Sequence, residues 1–416
     1  MKLECVPRGH DNYRTNQTLI LDPQDADTMY IGVELKGVYK TTDGGKNWQQ
    51  SDNGIRGYAR EGDPSQKCVQ ELGTGLIDPS NSKHLLMSRV ESPGDDKTLF
   101  SENAGLWESN DGGSSWHQLL KSGMNFSGSR AVAFAPDNSK TIYIGANNGH
   151  PSYTDSNGNS PQTYFNTKGI LYKTSNGGKN WQELPTGADK GFRASGIGIS
   201  AKDPKLIWLF TLSQDQDSGG MAADSAQKAA MKSTDGGQTW VSYADKLPAG
   251  YRTLSFGAMN PADSNNVVIA TQTTSGPQKS FVTTNGGDTW QATNQPVYVF
   301  SYDTNDASGK RLVGYDPFSP GGGIYESLDK GVSWSRLSDV PNGVDNSDNF
   351  GVRIENFAFS PAAKGTIYAT GSNANIWKST DDGKTWQSIM TIDSIGGLNK
   401  NKDGNTHSRE QDPGAH

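Results

Sequence analysis

The chain has 416 residues, 38 Lys plus Arg against 45 Asp plus Glu for a net charge of −7, 50 Gly, 10 Trp and only 32% hydrophobic residues. So much glycine beside so few apolar residues argues against a helix-rich core and demands frequent turns. The acidic balance, with no Lys/Arg block, argues against a nucleic-acid binder, and no apolar run is long enough to span a membrane.

Taken in chain order, the first residues, MKLECVPRGHDNYR, lack the apolar stretch of a signal peptide. A short apolar run, Leu19 to Leu21, is ended by Asp22 and Pro23; a second, Thr28 to Val33, and a third, Gly37 to Lys40, lead into the octapeptide TTDGGKNW, Thr41 to Trp48. That octapeptide returns as SNDGGSSW (Ser109 to Trp116), TSNGGKNW (Thr174 to Trp181), STDGGQTW (Ser233 to Trp240), TTNGGDTW (Thr283 to Trp290), SLDKGVSW (Ser327 to Trp334) and STDDGKTW (Ser379 to Trp386). Trp-to-Trp spacings are 68, 65, 59, 50, 44 and 52 residues, the mark of a repeat architecture. Asp or Asn at the third position can bond turn N–H groups, and Gly at the fifth supplies the positive φ of a tight hairpin. Each octapeptide is therefore read as a turn between two strands, and the upstream runs, such as Ala131 to Pro136, Leu254 to Pro261 and Phe357 to Pro361, supply the rest of a four-stranded unit.

Four-stranded units repeated radially are the blades of a β-propeller, with the octapeptide Trp as the wedge between neighbours. The octapeptide resembles the Asp-box, or BNR repeat, of sialidases, xyloglucanases and sortilin-type receptors, over nearly the whole chain from about residue 15 to 390. The resemblance implies an all-β fold, a single seven-bladed β-propeller of four-stranded antiparallel blades over residues 1–390, with an Asp-box in each C–D turn when strands are lettered outward from the axis. Residues 391–416 read as a polar, flexible tail. In those families the box is structural and lies away from the active face, so Asp43, Asp111, Asp235, Asp329 and Asp381 are expected to hold turns. A sialidase reading fails because the Arg-Ile-Pro element of that family is missing.

The box fixes one face, and the opposite face receives the long, dissimilar B–C and D–A connections: 51–67, 89–104, 147–168 and 213–230. An open groove beside the funnel, suited to a polymer, is expected there. Its aromatic candidates are Tyr13, Tyr58, Tyr153, Phe192 and Tyr251. An aromatic–Arg or Gly-x-Arg step recurs near strand A, giving Arg14, Arg130, Arg193, Arg252 and Arg353, a set able to grip an anionic ligand bidentately or to pair between blades. Tyr30 to Lys40 looks like the xyloglucanase segment that carries the catalytic base, with Glu34 where that family has Asp. The general acid of that family comes from a second propeller that this chain lacks. Glycoside hydrolysis needs two carboxyl groups about one bond; the candidate partners of Glu34 are Asp316, which in Gly314-Tyr-Asp-Pro317 is read at the equivalent B–C position of blade 6, and Glu71 and Glu355 in strands A of blades 2 and 7.

The leading reading is a secreted, monomeric propeller, extracellular or periplasmic, that binds a polysaccharide or oligosaccharide and cleaves it as a glycoside hydrolase. One alternative is a non-catalytic peptide- or protein-binding or assembly propeller of the sortilin-like kind. Another is a uronate lyase, with His10, Tyr13 and Arg14 supplying base and cation. No metal-ligand spacing, phosphate loop or nucleophile elbow is present, so neither cofactor nor metal is expected. Cys5 and Cys68 each precede a strand A and are positioned to bridge.

Overall fold

The computed structural model describes residues 19–33, 36–55, 58–60, 63–68, 72–89, 105–120, 131–145, 170–187, 192–213, 230–248, 254–271, 279–317, 322–344, 352–372 and 374–395. These form seven blades of four antiparallel strands, A to D in chain order, spanning 20–50, 72–120, 132–185, 192–242, 254–292, 299–338 and 354–390. Blades 4 and 5 are further joined by one parallel bridge, Leu212 with Leu254. A separate hairpin, Tyr58–Arg60 with Asp63–Cys68, lies in the connection from blade 1 to blade 2, where the sequence suggested only a loop. Beyond residue 390 the packed body continues, because Ile392 is buried against blades 7 and 1.

Why strands pack as blades is visible in strand B of blade 1, Met29–Val33, which is apolar apart from the Tyr30 hydroxyl and buried on both faces. Side chains alternate across a strand. Met29, Ile31 and Val33 accordingly enter the cluster shared with blade 7, while Tyr30 enters the cluster shared with blade 2. The hydrophobic core is thus a ring of seams. Each octapeptide Trp packs into the seam with the preceding blade: Trp48 on seam 7/1, Trp116 on 1/2, Trp181 on 2/3, Trp240 on 3/4, Trp290 on 4/5, Trp334 on 5/6 and Trp386 on 6/7. Blades 1 and 7 each own all four of their strands, so the described ring closes between them by side-chain packing and not by a shared sheet.

Candidate functional site

The octapeptides satisfy their own polar groups. In each, the first-position hydroxyl donates to the third-position Asp or Asn and accepts from the fifth-position N–H. The third-position Oδ1 also accepts the seventh-position N–H. Hydrogen bonds to a carboxylate favour its ionised form. Those from Asn47, Ser115, Thr239 and Thr385 hold Asp43, Asp111, Asp235 and Asp381 down at about 2. Asp329 is lowered as well: its burial acts upward, and the bonds from Ser333 and Ser327 outweigh it. Carboxylates so committed are turn fixtures, as the sequence suggested.

At the opposite face, Asp316, Glu355 and Arg353 are the site candidates whose side chains fall within the described residues. Asp316 ends strand B of blade 6, Leu312–Asp316, and pairs with Gly323 as Val33 of blade 1 pairs with Gly37. The register therefore sets Asp316 level with Val33 and not with Glu34, one place away from the equivalence drawn from sequence. Val33 faces a seam, and so does Asp316; it is fully buried and accepts a 2.7 Å bond from Gln295 in the linker from blade 5. A carboxylate closed off in this way cannot reach a polymer in the funnel. Glu355 lies partly buried in strand A of blade 7, Ile354–Phe359, and Arg353 stands just before that strand, its backbone exchanging hydrogen bonds with Ser372. Phe192 and Arg193 lie within strand A of blade 4, and Tyr58 lies in the separate hairpin. Glu34, Glu71, His10, Tyr13, Arg14, Arg130, Tyr153, Tyr251, Arg252 and Cys5 lie outside the described residues.

One carboxyl was missed by sequence reasoning. The B–C turn of blade 1, which carries Glu34, closes with Lys36 N–H donating to Val33 O and with Gly37 at φ 98°. Asp52, just beyond strand D, packs its carboxyl where a Cβ of Gly37 would stand, so only glycine fits there. Gln50 Nε2 ties the two together, donating to Asp52 Oδ2 at 2.9 Å and to Lys36 O at 3.3 Å. Burial pushes the Asp52 carboxyl above its ordinary range. In the sequence, Ser51 to Gly54 reads as a turn and nothing more. A polar cleft of about 590 Å³ runs from Asp52 along the outer edge of blade 1 past Gln50 and Lys40 to Asp43 and Ser114 of the next octapeptide. It lies on the rim, away from the axis. No metal-binding group of His, Cys, Asp or Glu occurs among the described residues, and no described helix is long and apolar enough to cross a membrane.

Seven four-stranded blades about one axis define a seven-bladed β-propeller. No protein-family model matches the chain. A xyloglucanase from a Paenibacillus species is 28% identical over 239 residues, covering 50% of this chain and 22% of that protein. The chain therefore spans about a fifth of the length of that curated relative. Among solved structures, an ancestral GH74 enzyme matches with a TM-score of 0.62 at 15% identity, over 91% of this chain and 47% of that one. YCF48 from Cyanidioschyzon merolae matches with a TM-score of 0.51 at 14% identity, over 90% of this chain and 97% of that one. At such identities the two structures show a common fold and nothing of function.

Proposed function

We propose that the chain is a secreted, carbohydrate-active propeller that grips a polysaccharide across the face opposite its Asp-boxes and hydrolyses it. The observation that carries this reading is the sequence match to a xyloglucanase over half of the chain. The chemistry needs one ionised carboxylate to activate water and one protonated carboxyl to hand a proton to the departing sugar oxygen. Glu34 is assigned the first role. Glu71 and Glu355 are the candidates for the second; Asp52, on the rim, serves to hold the turn that carries Glu34 through Gln50. Asp316 is dropped from the candidate set for want of any exposed surface.

The test is a panel of neutral and uronic polysaccharides, followed by reducing ends and by the absorbance of unsaturated uronate. Reducing ends released from a neutral β-glucan and lost in Glu34→Gln are the expected result. Unsaturated uronate would favour the lyase reading instead. Silence on every polymer, with binding to none, would favour a peptide-binding or assembly propeller.

A further inference from the structure

Four of the octapeptides have their fourth-position carbonyl held by side chains of the preceding blade. Tyr30 Oη and Lys40 Nζ both donate to Gly112 O at 2.9 Å across seam 1/2. Lys232 donates to Gly286 O across 4/5, Asn266 to Lys330 O across 5/6, and Arg311 to Asp382 O across 6/7. Lys173 and Lys378 hold the Lys40 position on seams 3/4 and 7/1, each stacked over the strand B tyrosine that it pairs with, Tyr143 and Tyr368. These latches are an amide, a phenol or cations of high intrinsic pKa, indifferent to pH near neutrality.

Seam 2/3 differs. In blade 2 the position of Lys40 is taken by Glu108, and His84 of strand B stands beside it. His84 Nε2 lies 2.8 Å from Glu108 Oε1, and Nδ1 lies 3.2 Å from Asp78 Oδ2. A neutral imidazole has one N–H and can serve only one of these carboxylates; the other would face a nitrogen lone pair. Both contacts are favourable only for the imidazolium, which has two N–H donors. The cluster also crosses to blade 3. The His84 ring lies 5.3 Å from that of Phe134, within reach of a cation–π contact, and Asp78 is hydrogen-bonded by Ser139.

We propose that seam 2/3 is a proton-dependent latch, closed when His84 is an imidazolium between Asp78 and Glu108 and loosened when the ring is neutral. The charged and titratable groups about His84 are Asp78, Glu108 and, through the second oxygen of Glu108, the exposed His117 at 3.0 Å. From blade 3 the packed residues are Phe134 and Ser139, which do not titrate in this range; Asp137 and Lys140 of the same turn are exposed. The bonds to Glu108 and Asp78 raise the His84 pKa above its ordinary value against the opposing effect of burial. A raised folded-state value means that the contribution is complete below about 6.5, the unfolded value, and is lost as pH rises through the folded one.

The experiment follows the His84 imidazole resonance, identified by its absence in His84→Gln, together with amide exchange of the intact chain from pH 5.5 to 8.5. The expected result is titration of His84 above 6.5. With it, exchange of the amides of the blade 3 hairpin 132–145, which carries Phe134 and Ser139, should gain severalfold over the amides at the Lys40 latch of seam 1/2 as pH rises through that value. The comparison within one molecule cancels the intrinsic pH dependence of exchange. Glu108→Gln, which keeps the shape, should move the His84 titration downward and flatten the difference between seams. A His84 titration at or below 6.5, an unmoved titration in Glu108→Gln, or equal pH response at the two seams would overturn the proposal.

Discussion

The fourth residue of the octapeptide sits at positive φ in every repeat, and five of the seven use glycine there. Lys330 at φ 68° and Asp382 at φ 63° are the exceptions. Their side chains return to the preceding blade: Lys330 Nζ bonds Asp263 at 2.7 Å, and Asp382 bonds Arg311 Nη1 at 3.0 Å. A left-handed backbone costs a residue with a Cβ about 1 kcal/mol relative to glycine, and each cross-seam ion pair offsets part of that cost. The pair of Lys330 is about a third exposed, so solvent limits it to roughly 0.2–1 kcal/mol. Lys330→Ala keeps the strained backbone and loses the pair, so it should lower stability by about 0.2–1 kcal/mol. Lys330→Gly loses the pair but relieves the strain, and should be more stable than the alanine variant by about 1 kcal/mol. Denaturant unfolding of the three proteins decides; an alanine variant as stable as the glycine variant would mean that the backbone there is unstrained.

Between neighbouring blades, four seams carry a strand B aromatic under a strand C lysine, and where the aromatic is tyrosine its hydroxyl is used unequally. Tyr30 Oη bonds Gly112 O across seam 1/2, whereas Tyr368 Oη is buried on the ring-closing seam with no hydrogen-bond partner. A buried hydroxyl without a partner costs free energy, while a satisfied one is worth about 0.5–1.5 kcal/mol. Tyr30→Phe should therefore destabilise by about that amount, and Tyr368→Phe should be neutral or stabilising. Equal losses from the two substitutions in thermal unfolding would show that the ring-closing hydroxyl is satisfied in solution. Of this element the sequence reveals the strands, the turn, the blade count and the Trp wedge, because each rests on a local pattern repeated seven times. It does not reveal Asp52 at the Glu34 turn, since a contact between Gly37 and a residue past strand D leaves no periodic trace. Asp316 was misplaced for a related reason: Gly-Tyr-Asp-Pro resembles a turn, and only the pairing of Asp316 with Gly323 shows that the strand runs one residue further.

For the whole ring, acid stability follows from the chemistry common to its turns. Asp43, Asp111, Asp235 and Asp381 are drawn down to about 2 in the folded protein, against about 3.9 in an unfolded chain. Depressed values contribute stability that is fully present above about 3.9 and is lost as pH falls through about 2. The denaturation midpoint should therefore be steady from pH 6 to 5 and fall steeply between about pH 4 and pH 2. Blades 3 and 5 indicate how to test the source, because Asn176 and Asn285 occupy the same position and accept the same backbone N–H without titrating. Replacing the four aspartates with asparagine should keep the turns and reduce the steepness of the acid limb as each carboxylate is removed. A fourfold variant that folds at pH 7 yet loses stability as steeply as the parent would place the acid sensitivity elsewhere, with Asp78 and Asp306, also held at about 2, the next carboxylates to replace.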